Sequence, residues 1–162
     1  MGLWPLFLKR TVVTSEIING RYEDVSETLK DHPTLITLNP LVIAYEVLED
    51  QPATTYLITD KLKMLFFTTQ TQYMARAQHD GDRLTFHVKA GVGVTSTNYW
   101  ICRRRESPET GVEVIEESHV EAPFFLIFYV TKTMKSSHRN LLARLKVKIE
   151  NKHKQPIYNN TS

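Results

Sequence analysis

Apolar residues recur along this chain with two different periods, and the change of period divides it into elements. Phe7 to Ser15 is crowded with β-branched residues and predicts a first strand. Beyond Asn19-Gly20, Val25 and Leu29 lie four apart behind Glu23 and Asp24, which predicts a short helix over 21–30 that Pro33 ends. A further turn of helix is predicted from Leu35 to Leu38, closed by Asn39-Pro40.

From Leu41 to Ala122 the period falls to two, as in half-buried antiparallel strands. Leu41, Ile43, Tyr45 and Val47 share one face; Tyr56, Ile58, Leu62 and Met64 a second; Leu84, Phe86, Val88, Ala90 and Val92 a third. Asp50-Gln51-Pro52, Asp80-Gly81-Asp82 and the run from Glu106 to Gly111 separate them as turns. The pattern is a meander of about six strands, to which the first strand adds a seventh. After Pro123 the spacing turns helical: Ile127, Val130, Met134, His138, Leu141, Leu145 and Ile149 form one stripe, with Lys132, Lys135, Arg139 and Lys146 opposite. A helix over 124–150 is roughly 40 Å long and must lie across the sheet.

At 162 residues, 41% apolar and 23% charged, the chain reads as one domain, with a core over about 7–151 and a basic polar tail over 152–162. The net charge of +2 is too small for the whole protein to attract polyanions. A single cysteine, Cys102, excludes an internal disulfide and a thiolate zinc site and fits a reducing, cytoplasmic setting. Pro5 interrupts the apolar start, Leu6 occupies the place where a myristoylation signal needs Ser or Thr, and no apolar run approaches a membrane span. The overlapping sequons at Asn159 and Asn160 read as a polar tail.

The element order, the Asp31-His32-Pro33 to Asn39-Pro40 passage, the Tyr56 to Asp60 strand and the Glu121-Ala122-Pro123 entry into the last helix together resemble the START-like, helix-grip superfamily, which includes relatives of polyketide cyclases. Within it the chain is similar to small uncharacterised fungal members. The resemblance implies an α+β fold in which a curved antiparallel sheet of about seven strands wraps a long C-terminal helix. It also implies a gap between sheet and helix that takes an apolar guest, because a strongly twisted sheet cannot lie flush on a straight helix.

Several polar residues fall where they could serve such a gap. Period two turns Asp60 toward it, unless the strand ends at Thr59 and leaves Asp60 in a turn beside Lys61; a buried carboxylate there has a raised pKa. His138 interrupts the helical stripe, either as a proton carrier or as a satisfied core histidine. Asn98, Tyr99 and Trp100 follow Gly91-Val92-Gly93, glycines that suggest a bulge or close approach in the sheet; the three either hydrogen-bond and wall a ligand or only pack the sheet. Tyr73 is a further possible donor. His87 is read toward the outside of the sheet, His119 beside Val120 is open to either face, and His32, His79 and His153 are read in loops or the tail. No histidine pair has metal-ligand spacing, no Gly-x-Ser-x-Gly elbow exists, and Cys102, though Arg103 to Arg105 could lower its pKa, lacks an identifiable base.

Residues 132–154 hold eight Lys or Arg against one acid, a local +7 that reads as a solvated helix face. No recognition motif accompanies it, so neither nucleic acid nor stable membrane insertion is expected. The resemblance implies a cofactor-free enzyme that steers cyclisation or isomerisation of a polyketide- or terpenoid-like intermediate, including a pericyclic, Diels-Alder-type step. The expected catalytic residues are Asp60, Asn98, Tyr99 and His138, with Tyr56, Met64, Tyr73, Phe86, Trp100, Met134 and Leu141 walling the substrate and no metal. The alternative is a lipid or sterol carrier with a lid near His32 to Asn39; either fits a monomer or homodimer.

Overall fold

A computed structural model describes residues 6–49, 54–63, 66–106 and 111–154. The chain runs β1 (Phe7–Ile18), α1 (Tyr22–Lys30), α2 (His32–Leu38), β2 (Val42–Glu49), β3 (Thr54–Lys63), β4 (Thr68–Asp80), β5 (Arg83–Ala90), β6 (Thr95–Arg104), β7 (Val112–Pro123) and α3 (Ile127–Lys154). One antiparallel sheet has the strand order β1-β7-β6-β5-β4-β3-β2, so β1 closes onto the last strand while the six others form a plain meander. This is the helix-grip plan, a curved sheet around a long C-terminal helix with two short helices after the first strand.

Both short helices follow from local chemistry. Arg21 holds Asp24 in the first turn of α1 at 2.8 Å, and the Asp31 side chain caps α2 by accepting from the Thr34 backbone N–H at 3.1 Å. Pro33, expected to end the first helix, instead starts the second, where its missing N–H is harmless. The last helix begins three residues later than expected, at Ile127, because Pro123 to Leu126 form a turn closed by the Leu126 N–H on the Pro123 carbonyl at 2.8 Å.

The inner face of the sheet carries the core. Tyr56 and Ile58 of β3, Leu84 and Phe86 of β5, Trp100 of β6 and Val114 of β7 pack beneath Leu141, Leu145 and Ile149 of α3. A second cluster of Val120, Ala122 and Ile127 sits near the start of α3, with Met134 partly buried against it. A polar band separates the two clusters: β7 reads inward as Val112, Val114, Glu116, Ser118, Val120, Ala122, and β6 inserts Ser96 and Asn98 beside it.

Two expected patterns change. β2 is an edge strand with a register shift between Val42 and Ala44, so Val42 rather than Ile43 joins the inner face, while Ile43, Tyr45 and Val47 stay exposed. Gly91–Gly93 forms a one-turn connection between β5 and β6, not a bulge within the sheet. The close approach is nevertheless present, since a Cβ on Gly93 would come within 2.9 Å of the Phe7 ring.

Candidate functional site

The band between the two apolar clusters is where buried polar groups collect, and each enters because period two or helical spacing points it inward. Glu116, fully buried on β7, accepts from Thr14 Oγ1 at 3.0 Å and from a close Ser118 Oγ. His138 descends on it from α3, with Nδ1 2.9 Å from Glu116 Oε1. The approach is a charge contact lying off the ring N–H direction, so Nδ1 lacks an aligned hydrogen bond. Burial would raise the Glu116 pKa, but the His138 charge and the hydrogen bonds outweigh it and hold the carboxylate below its ordinary value.

Two inward polar atoms of β6 are left without partners, Asn98 Oδ1 and Ser96 Oγ. Buried polar atoms are seldom orphaned, because each costs roughly 1–3 kcal/mol of desolvation. Asn98 is 7% exposed and lies beside an opening between sheet and helix. That opening has a volume of about 70 Å³. Leu35, Ile36 and Asn39 of α2 close one side; Phe86, Trp100 and Asn98 line the sheet side; His138 and Leu141 cover it from α3.

The hollow is smaller than the roomy gap expected. At roughly 30 Å³ per water it holds about two, against the several hundred Å³ of a typical ligand site. The reason lies in α2, whose Leu35 and Ile36 wedge between the sheet edge and α3. This helix is tied down at both ends. His32, expected in a loop, is its buried first residue, with Nε2 2.7 Å from His79 Nε2 and Nδ1 3.2 Å from Tyr56 Oη, while Arg144 reaches the Leu38 carbonyl at 3.4 Å.

Tyr73 and Asp60 form a second pair. The phenol lines the hollow and donates to Asp60 Oδ1 at 3.2 Å. β3 runs on through Lys63, so Asp60 stays on the inner face, 7% exposed. Burial pushes its pKa up to about 6, opposed by the Tyr73 hydrogen bond and by His138. Burial, reinforced by Asp60, likewise raises the Tyr73 phenol.

Of the expected site residues, the hollow brings together Tyr73, Phe86, Asn98, Trp100, His138 and Leu141. Tyr99 is a correction: alternation from Asn98 sends it to the outer face, where its ring meets Arg83 and His119. Met134 belongs to the second apolar cluster, and Tyr56 is committed to the core and His32, so neither lines the hollow. Met64 lies outside the described residues. Cys102 is buried, and burial pushes its thiol up to about 12, opposite to the lowering its arginine neighbours suggested. Sequence reasoning missed Glu116, Ser118 and Thr14; the signal was polar residues at inward positions of the valine alternation in β7.

Residues 18–151 match the model of a family described as Domain of unknown function (DUF7053). No curated protein matches the sequence. Among solved structures, the fold is similar to TTHA0849 from Thermus thermophilus, with TM-score 0.70 and 16% identity over 88% of this chain and 99% of that one. It is similar to a START superfamily protein from Mycobacterium smegmatis, with TM-score 0.68 and 10% identity over 87% and 97%. It is also similar to the Zhui aromatase/cyclase from a Streptomyces species, with TM-score 0.66 and 12% identity over 91% and 97%. At these identities the likeness establishes the fold, and none of the three sources supports the fungal part of the resemblance.

Proposed function

The chain belongs to that family, and on this footing we propose that it is a cofactor-independent enzyme that binds an apolar, carbonyl-bearing polyketide- or terpenoid-like intermediate beneath α3 and directs its cyclisation or isomerisation. The observation that carries the reading is the orphaned Asn98 Oδ1, buried beside a hollow that His138, set against Glu116, and the Asp60-backed Tyr73 also border. A structural core satisfies such groups; a site leaves them for a guest.

The chemistry follows from the groups. His138, with Nδ1 against Glu116, presents Nε2 to the substrate and in its neutral form removes a proton from a carbon next to a carbonyl. Tyr73 turns its single O–H from Asp60 to the substrate, protonates the carbonyl oxygen and is left as phenolate, and Asn98 Oδ1 accepts from the enol hydroxyl so formed. The enol carbon then attacks a second carbonyl held close by Phe86, Trp100 and Leu141; the enol hydroxyl returns its proton to the Tyr73 oxygen, the protonated His138 gives its proton to the new alkoxide, and confinement removes much of the entropic barrier. Two titratable pairs favour this proton-transfer route over a pericyclic step, which needs neither. Entry requires α2 to swing away, with its hydrogen bonds at His32 and Leu38 serving as latches.

Incubating the protein with a linear polyketone analogue and resolving products by chromatography and mass spectrometry tests the reading. The wild type is expected to shift the product distribution, with His138→Ala and Asp60→Asn each lowering turnover about 100-fold. Retention of the analogue with unchanged products favours a carrier instead, and no retention overturns both readings.

A further inference from the structure

The end of the sheet at which β1 starts is unusually apolar for a surface. Antiparallel order brings to this end the start of β1, the β3–β4 and β5–β6 connections, and the passage from β7 into α3. Each contributes exposed apolar side chains: Leu6 and Phe7; Phe66 (95% exposed) and Phe67; Val92; Phe124, Phe125 (60% exposed) and Phe128. They are held there by structure. The Phe124 N–H bonds the Leu6 carbonyl at 2.8 Å, Phe7 packs on Gly93, and the Phe124 and Phe125 rings meet edge to face at 5.5 Å.

The same end carries an excess of cations. The segments 6–11, 59–63, 66–74, 88–97 and 118–136 carry seven cations, Lys9, Arg10, Lys61, Lys63, Lys89, Lys132 and Lys135, against only Glu121 and the buried Asp60. Arg10 lies over the Phe128 ring at 5.4 Å, and Lys9 meets Glu121 at 3.6 Å. The opposite end is mixed in charge: Glu23 of α1 meets Arg104 and Asp82 accepts from Tyr22, and Arg83, Arg103 and the Lys148 and Lys152 end of α3 lie there with Asp80, Glu106 and Glu113. Aromatic side chains on protruding turns, ringed by cations with almost no acid among them, match a layer that is apolar inside and anionic at its surface.

We propose that the Phe66, Phe125 and Phe128 end of the domain is a peripheral docking surface for an anionic lipid bilayer, the phenylalanines entering the headgroup–acyl boundary while the lysine ring sits over lipid phosphates. No helix among the described residues is long and apolar enough to cross a membrane, and this mode needs none. The proposal stands apart from the reading of the hollow, because none of the phenylalanines and lysines it rests on lines that space.

Co-sedimentation of the full chain with vesicles of phosphatidylcholine mixed with phosphatidylserine, and with pure phosphatidylcholine vesicles, decides it. The wild type is expected to partition onto the mixed vesicles far more than onto the neutral ones, and to release as salt is raised. Phe66→Ser with Phe125→Ser is expected to lower partitioning at least about tenfold. Lys89→Glu with Lys132→Glu is expected to lower it by roughly fivefold for each cation reversed. Val147→Ser, at an exposed position farther along α3, should leave it unchanged. Equal wild-type partitioning onto both vesicle types overturns the proposal, as does undiminished binding by both double variants with native circular dichroism. Concentration-dependent self-association abolished by Phe66→Ser/Phe125→Ser, without vesicle binding by the wild type, overturns it in favour of a protein partner.

Discussion

Replacing Glu116 by Gln tests whether the polar band is held by charge. Glu116 is fully buried, with His138 Nδ1 2.9 Å away and Thr14 Oγ1 at 3.0 Å. Two unit charges at that distance attract by about 6 kcal/mol at an effective dielectric near 20, and burial takes back a large part. The variant keeps the volume and an acceptor for Thr14 but removes the charge partner of His138, which for a buried pair costs about 3–5 kcal/mol where both groups are ionised. For a chain of this size that is a fall in Tm of about 6–20 °C, readable by calorimetry and by urea titration. The pH dependence has a definite sign. Because the folded Glu116 pKa lies below its ordinary 4.5, its stabilisation is complete above 4.5 and is lost as pH falls through the folded value. The gap between wild type and variant should therefore close as pH falls through that value. A cost under about 1 kcal/mol, together with additivity within about 0.5 kcal/mol in a cycle with His138→Gln, would refute the reasoning.

Three further outcomes follow from buried groups. Asp60 has a folded pKa of about 6 against 3.8, so the folded state holds the extra proton between those values and stability falls as pH rises through the window. Asp60→Asn should thus be more stable than wild type by about 1–3 kcal/mol at pH 8, an advantage gone below about pH 4 in denaturant titrations, while losing turnover. Asn98→Leu, which removes an orphaned acceptor, should be stability-neutral or stabilising by about 1 kcal/mol in the same titrations and should abolish guest binding; a large destabilisation means the amide has an internal partner. Cys102, with its thiol pushed up to about 12, should resist a disulfide reagent at pH 8 in the native protein and react on unfolding; fast native labelling contradicts its burial.

The α3 stripe was legible because helical spacing over seven positions leaves one face to bury, and Ile127, Leu141, Leu145 and Ile149 are indeed buried. The meander was legible for the same reason at period two. Asn98 and Tyr99 could never have shared a site, since neighbours on a strand face opposite ways, and that conflict was visible in the sequence. Glu116 and Ser118 were equally visible as polar interruptions of an inward valine alternation. Other features depend on tertiary context. The β2 register shift that exchanges Ile43 for Val42 leaves no mark in composition, and His32 meets His79 and Tyr56 only because α2 folds over the sheet. The size of the hollow is set by how far Leu35 and Ile36 wedge inward, which no pattern of types encodes.

Function as proposed requires that the space beneath α3, closed here to about 70 Å³, open at α2 to admit an apolar carbonyl compound. Titrating isotope-labelled protein with a polyhydroxylated anthraquinone and following amide and side-chain resonances tests this directly. Saturable shifts are expected at Leu35, Ile36 and Asn39 together with the Asn98 side-chain amide and the His138 ring. Shifts confined to the outer face of the sheet around Lys9, Thr97 and His119, or none at saturating probe, would contradict it.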